Sequence, residues 1–183
     1  PQGRVLSRQT GFVRPYGKNP YRGYDRIGDI PFLFSDPVDP RLPAMERVLG
    51  VSLGGKTRIY PFAVLAAAPI INDEVGGEPI TVFSQEGLLS ALDAEIIRDS
   101  RRIPAAAAYN RKAGPRLLSF ERRDGRILDR ETGSEWDIFG RAIAGTLKET
   151  RLKPADSGVH FAFAWLAFNP QSEIYRAPPA PKR

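Results

Sequence analysis

The chain has 183 residues, 42% of them hydrophobic and 26% charged, with a formal net charge of +6 and a single histidine but no cysteine. That is enough apolar content for a real core at single-domain length. It excludes disulfides, Cys-ligated zinc, iron–sulfur clusters and thiol catalysis, and, within one chain, a His-rich metal site. No run reaches the roughly 18 apolar residues that a membrane helix needs, so no transmembrane segment is expected in this chain. It begins at Pro1 rather than Met, and a preceding stretch such as a removed leader is expected.

Residues 1–45 are rich in Pro, Gly and Tyr. Tyr16-Gly-Lys-Asn-Pro-Tyr-Arg-Gly-Tyr24 reads as consecutive turns, and Ser35-Asp-Pro-Val-Asp-Pro40 as another. This is an extended arm laid over the core, with its tyrosines and Phe32-Leu33-Phe34 as anchors. Arg47 to Leu53 then reads as a strand, Gly54-Gly55 as a hairpin turn, and Thr57 to Tyr60 as the returning strand. Pro61 can open a helix, and Phe62 to Ala68 continues it until Pro69 stops it. Ile70 to Asp73 and Pro79 to Ser84 read as strands joined at Gly76-Gly77. Residues 90–97 are ambiguous between strand and helix, and Ile103 to Tyr109 is weakly patterned.

Arg116 to Glu121 and Arg126 to Arg130 read as strands joined by the strong hairpin signal Asp124-Gly125. Thr132-Gly133 turns the chain into Ser134 to Ile138. The apolar run Phe161 to Phe168 has no polar face, so a short buried helix is expected there, ended by Asn169-Pro170. Glu173-Ile-Tyr175 closes the sheet in this reading. The fold class is α+β: β-rich, mainly antiparallel sheet with a few short helices and an extended N-terminal arm. One globular domain is expected over residues 1–176, followed by a disordered Pro-rich tail over 177–183.

Motifs with a mechanism are absent: no P-loop, no dinucleotide-binding glycine pattern, no His-Glu-x-x-His and no Gly-x-Ser-x-Gly. His160 precedes an apolar run and reads as a structural or surface residue. The basic groups Arg101-Arg102 and Arg122-Arg123 stand beside acids, and the charge is scattered, which argues against nucleic acid as a partner. Acidic neighbours such as Asn72-Asp73-Glu74 and Asp129-Arg130-Glu131 read as turn or ion-pair residues, because adjacent strand residues point to opposite faces.

Seven segments in order carry a resemblance. They are Val5-Leu-Ser-Arg-x-Thr-Gly11, Tyr16 to Tyr24, Glu46-Arg-Val-Leu-Gly-Val51, Arg58-x-Tyr-Pro61, Ile71-Asn-Asp-x-Val-Gly-Gly77, Asp129-Arg-Glu-Thr-Gly-Ser-x-Trp136 and Phe161-x-Phe-Ala-Trp165. Together they resemble the bacterial domain-of-unknown-function family 3179 over nearly the whole chain. The resemblance implies an extracytoplasmic location and little about chemistry. The departures are sharper. Where the family carries a Trp-His-Glu stretch this chain reads Ala67-Ala68-Pro69, with Ala68 at the histidine position. Where it carries Tyr-Cys-Pro-Leu, often with a second cysteine, this chain reads Ser84-Gln-Glu-Gly-Leu-Leu89 before Ser90-Ala91, with Gln85 and Leu88 at the cysteine positions. A thiolate and an imidazole would suit a soft metal or redox centre, and Ala, Gln and Leu cannot replace them.

Three functions are therefore carried forward. The first is a non-catalytic or catalytically altered member that binds an unknown protein or a small anionic ligand outside the cytoplasm, with no cofactor and no metal. The second is an enzyme using oxygen ligands or acid–base residues in a polar cleft, for example Asp73, Glu86, Asp129 and Arg130. The third is a nucleic-acid or anionic-surface binder resting on the net charge of +6. The candidate ligand-binding cleft is Asn72, Asp73, Ser84, Gln85, Ser90, Asp129, Arg130 and Trp136. In it the Arg130 guanidinium would hold a carboxylate or phosphate by two parallel bonds. Against that stands a plainer reading, in which Asp129 and Thr132-Gly133 make a tight turn, Arg130 pairs with a carboxylate and Trp136 fills the core.

Overall fold

The computed structural model describes Ser7 and residues 9–177. Val5, Leu6 and Arg8 of the first resemblance segment lie outside the described residues, as does the expected tail apart from Ala177. Among the described residues the arm runs to Glu46 as turns and bends without a strand of its own. It is held by backbone bonds from Asn19 N–H to the Glu95 carbonyl (2.7 Å) and from Gly23 N–H to the Asp93 carbonyl (2.9 Å). Tyr24 lies edge-on to Phe161 at 6.0 Å, and Phe34 to Phe163 at 5.2 Å. Of the expected anchors, Leu33 is 85% and Phe32 63% exposed. The Phe-Leu-Phe triplet therefore anchors through Phe34, because an arm that crosses the core as turns can face it with few side chains at once.

Strands β1 (Arg47–Leu53) and β2 (Lys56–Pro61) form a hairpin across Gly54-Gly55. Both glycines sit in the left-handed region, which is what this two-residue turn demands. Pro61 then leads into helix α1 (Phe62–Ala67), whose Ala63 N–H donates to the Glu46 carboxylate at 3.0 Å. Strands β3 (Ile70–Val75) and β4 (Glu78–Leu89) pair across Gly76-Gly77. β4 runs on past the expected Ser84, and β5 (Arg102–Asn110) pairs it from Ile80 to Leu89. The weakly patterned Ala-rich segment is thus a strand because β4 supplies its ladder; alanine alone carries little β signal. Residues 90–97 are turns and bends leading to a 3-10 turn at Ile97–Asp99.

The single strand expected over 116–121 is split. β6 (Lys112–Ala113) and β7 (Arg116–Leu117) make a small hairpin, and β8 (Phe120–Arg123) starts afresh. The break falls where Leu118 N–H turns to the Arg111 carbonyl (2.9 Å) and Ser119 N–H to the Glu131 carboxylate (2.8 Å). β9 (Arg126–Asp129), β10 (Glu135–Trp136) and β11 (Ala142–Ala144) complete that sheet. β12 (Ser157–Phe161), helix α2 (Ala162–Phe168) and β13 (Glu173–Ile174) end the described chain.

The sheet orders are β12-β1-β2-β13, β3-β4-β5 and β11-β10-β9-β8, antiparallel except for β13 beside β2. Strand alternation places them in layers. Leu49, Val51 and Tyr60 meet Ile71, Ile80, Val82 and Ala108 between the first two sheets. Phe83 and Tyr109, on the other face of β4 and β5, meet Phe120, Ile127 and Trp136 of the third sheet. Val48 and Ile59 face Ala162 and Leu166 of α2. A methyl at Gly50 would overlap the Trp165 ring, so glycine lets α2 lie flat on β1. The helix expected to be buried shows only one stripe to the core: Ala162 and Leu166 are buried, whereas Phe168 is 87% exposed. Two turns of helix against a sheet can bury only one side.

Candidate functional site

The eight candidate residues fall into four local groups. On β3 the side chains alternate as a strand requires. Asn72 turns to the third sheet and bridges it with both ends of its amide, donating to the Phe120 carbonyl (2.7 Å) and accepting from Phe120 N–H (2.8 Å). Asp73 turns the other way and accepts from Tyr60 hydroxyl and Arg58, both at 2.7 Å. Burial pushes the Tyr60 phenol well above its ordinary pKa, and the Asp73 carboxylate adds to that.

The second group is Asp129 and Trp136. Asp129 is 1% exposed and accepts from the Trp136 indole N–H (2.9 Å), Thr132 N–H (2.6 Å) and the Thr132 hydroxyl (2.8 Å). A buried carboxylate is tolerable when its lone pairs are filled in this way. Arg130, the next residue, points out. Its side chain is 64% exposed and pairs with Glu121 at 2.8 Å, and Glu121 also takes Arg123. Hydrogen bonding from Arg123, then from Arg130, holds the Glu121 carboxyl below its ordinary range.

Ser90 belongs to a third group that the sequence did not bring together. Its hydroxyl donates to Asp25 at 2.5 Å. Asp25, in the arm and 1% exposed, also takes Arg47 (2.9 Å) and Arg101 (2.8 Å). Burial pulls the Asp25 carboxyl upward, but the Ser90 hydroxyl and the two guanidiniums outweigh it and hold it below the ordinary range. No local signal marks Asp25, since its partners lie 22, 65 and 76 residues away.

Ser84 and Gln85 form the fourth group. Ser84 is buried, and its N–H donates to the Pro69 carbonyl at 2.8 Å. The two segments in which the resemblance expects reactive side chains, 67–69 and 84–89, are therefore hydrogen-bonded neighbours. Gln85 faces the opposite side of β4, opposite Ala105 in register. It borders a hollow of about 380 Å³ with Leu88, Ala105, Ala107, Tyr109, Ile138 and Phe139. A register shift between Glu86 and Leu88, with Gly87 at φ +148°, bends the strand at its mouth. The alanines of β5 leave the floor low, and Phe139 (76% exposed) and Leu88 (52% exposed) stand at the rim. Tyr109 contributes ring rather than polarity, because its hydroxyl already donates to the Ile138 carbonyl at 2.9 Å.

Arg130 borders a different hollow, with Glu121, Arg123, Leu128, Asp129 and Gly133, and shares no lining residue with Gln85. Among the described residues no three His, Cys, Asp or Glu side chains gather as a metal-holding group. No helix of the described residues is long and apolar enough to cross a membrane. His160 is exposed, its ring 4.9 Å from that of Trp165.

Fold and site together define a strand-rich, mainly antiparallel protein whose Asp73 and Asp129 are spent on internal contacts and which carries a largely apolar concavity on β4 and β5. The family described as protein of unknown function (DUF3179) matches residues 1–172, and the chain belongs to it. No curated protein and no solved structure matches the chain.

Proposed function

We propose that this chain is a non-catalytic, extracytoplasmic binding member of its family, and that the hollow on β4 and β5 receives a ring-sized apolar group of a small ligand or partner protein. The observation that carries this reading is the hollow itself. It opens beside Gln85 and Leu88, where the resemblance expects cysteines, and it is lined mainly by alanine, leucine, isoleucine and aromatic rings, with Gln85 and Glu86 as its polar side chains. Its volume of about 380 Å³ lies in the range of small-molecule pockets. Mainly apolar walls favour burial of an apolar group over chemistry on it. The acid–base alternative is less well supported, since Asp73 and Asp129 each already accept from at least two residues and the Arg130 guanidinium donates to Glu121. Location outside the cytoplasm rests on the family resemblance.

Titration with indole, followed by backbone amide NMR, tests the reading. Saturable shifts should centre on Gln85, Leu88, Ala105 and Ala107, and Ala105→Leu, which fills the floor, should abolish them. Shifts confined to other surfaces, or unchanged by Ala105→Leu, would count against it.

A further inference from the structure

The arm carries an exposed feature of a different kind. Arg14, Lys18 and Arg22 border one hollow, and Arg22 and Arg26 border the next, the two sharing Pro20 and Arg22. The four cations therefore form one continuous track. Among the described residues Arg14, Arg22 and Arg26 enter no salt bridge, and Lys18 meets Glu95 at 3.1 Å with both side chains more than half exposed. The arm's own Asp25 does not offset them, because it is turned inward and held by Arg47 and Arg101. Asp29 is the acid left on the second hollow.

Apolar side chains are exposed along the same arm. Phe12, Val13, Ile27, Ile30, Phe32 and Leu33 are each at least 55% exposed. Ile30 and Phe32 border the same hollow as Arg22 and Arg26. Cations alone would suit any polyanion. Cations interleaved with exposed aliphatic and aromatic groups suit a bilayer interface, where guanidiniums stay among headgroup phosphates and apolar side chains reach the acyl boundary.

We propose that residues 12–33 dock the protein on an anionic lipid surface. Arg22 and Arg26 take headgroup phosphate in the second hollow, Arg14 and Lys18 in the first, and Ile27, Ile30 and Leu33 enter the interface. Gly23 is fitted to this: its φ is +75°, and the Arg26 guanidinium rests 3.1 Å from where a methyl would stand. A side chain at Gly23 would push Arg26 off the track.

Co-sedimentation with vesicles tests this, using phosphatidylcholine alone and phosphatidylcholine with one quarter phosphatidylglycerol, at physiological salt. Binding is expected to the mixed vesicles and not to the neutral ones. Arg22→Gln with Arg26→Gln should weaken it about 30-fold, roughly fivefold for each cation near the surface. Ile30→Ser with Leu33→Ser should weaken it by a similar order, with circular dichroism unchanged in both variants. Equal binding to neutral vesicles, no binding to either, or indifference to the Ile30 and Leu33 changes would overturn the proposal. So would a single-stranded oligonucleotide that binds more tightly and strips the protein from the vesicles.

Discussion

The indole N–H of Trp136 donates to the carboxylate of Asp129 at 2.9 Å, across a turn in which Thr132 supplies two further donors to the same group. Arg130, one residue on from this buried acid, is bound only at the surface. The two neighbours should therefore behave oppositely. Asp129→Ala strands buried donors and should cost about 3 kcal/mol, whereas Arg130→Ala should cost less than about 1 kcal/mol. Urea unfolding of the two variants measures the contrast, and similar losses would contradict it.

Asn72 makes a second such test. Its amide substitutes for one rung of ladder between β3 and β8, with bonds of 2.7 and 2.8 Å to a single residue, Phe120. Asn72→Ala should lose about 2 kcal/mol, because both Phe120 backbone groups lose their partner. Amide exchange at Phe120 should quicken more than at Ile127, on the neighbouring strand β9. Uniform quickening would mean that the amide is not a local tie.

Asp25 gives the stability a pH dependence with a fixed sign. Its folded pKa lies below the ordinary carboxylate value, so the unfolded chain takes up this proton first as pH falls. Its contribution is whole above about pH 4 and is lost as pH drops through the folded value. Asp25→Asn leaves Arg47 without a counter-charge and Arg101 with Asp93 alone, and should cost about 3 kcal/mol at neutral pH. The gap between the two proteins should narrow below about pH 4. Parallel pH profiles would show that the arm is not held by this ion pair.

The sheet was legible wherever a turn announced it. Gly54-Gly55, Gly76-Gly77 and Asp124-Gly125 each join the paired strands that flank them. β5 was not legible, since Ala105 to Ala108 shows no alternation until β4 lies beside it. The plain reading of Asp129, Arg130 and Trp136 rested on residues within one turn and matches their contacts. What sequence could not supply was company at a distance. Gln85 was a candidate, but Ala105, Ile138 and Phe139, which make its hollow, lie 20 or more residues on and carry no motif. Ser90 was a candidate, but Asp25 comes from the arm, and the arm's path over the core is set by packing that no periodicity encodes.

The central claim is that the hollow on β4 and β5 is a binding site for an apolar ring. The most direct measurement is a crystal structure of the protein soaked in a set of neutral ring compounds, indole, naphthalene-2-ol and benzimidazole among them. The account expects ring density over Ala105 and Ala107, flanked by Leu88 and Phe139, and none there in Ala105→Leu crystals. Rings found only elsewhere, or none at all in a hollow open to solvent, would contradict it.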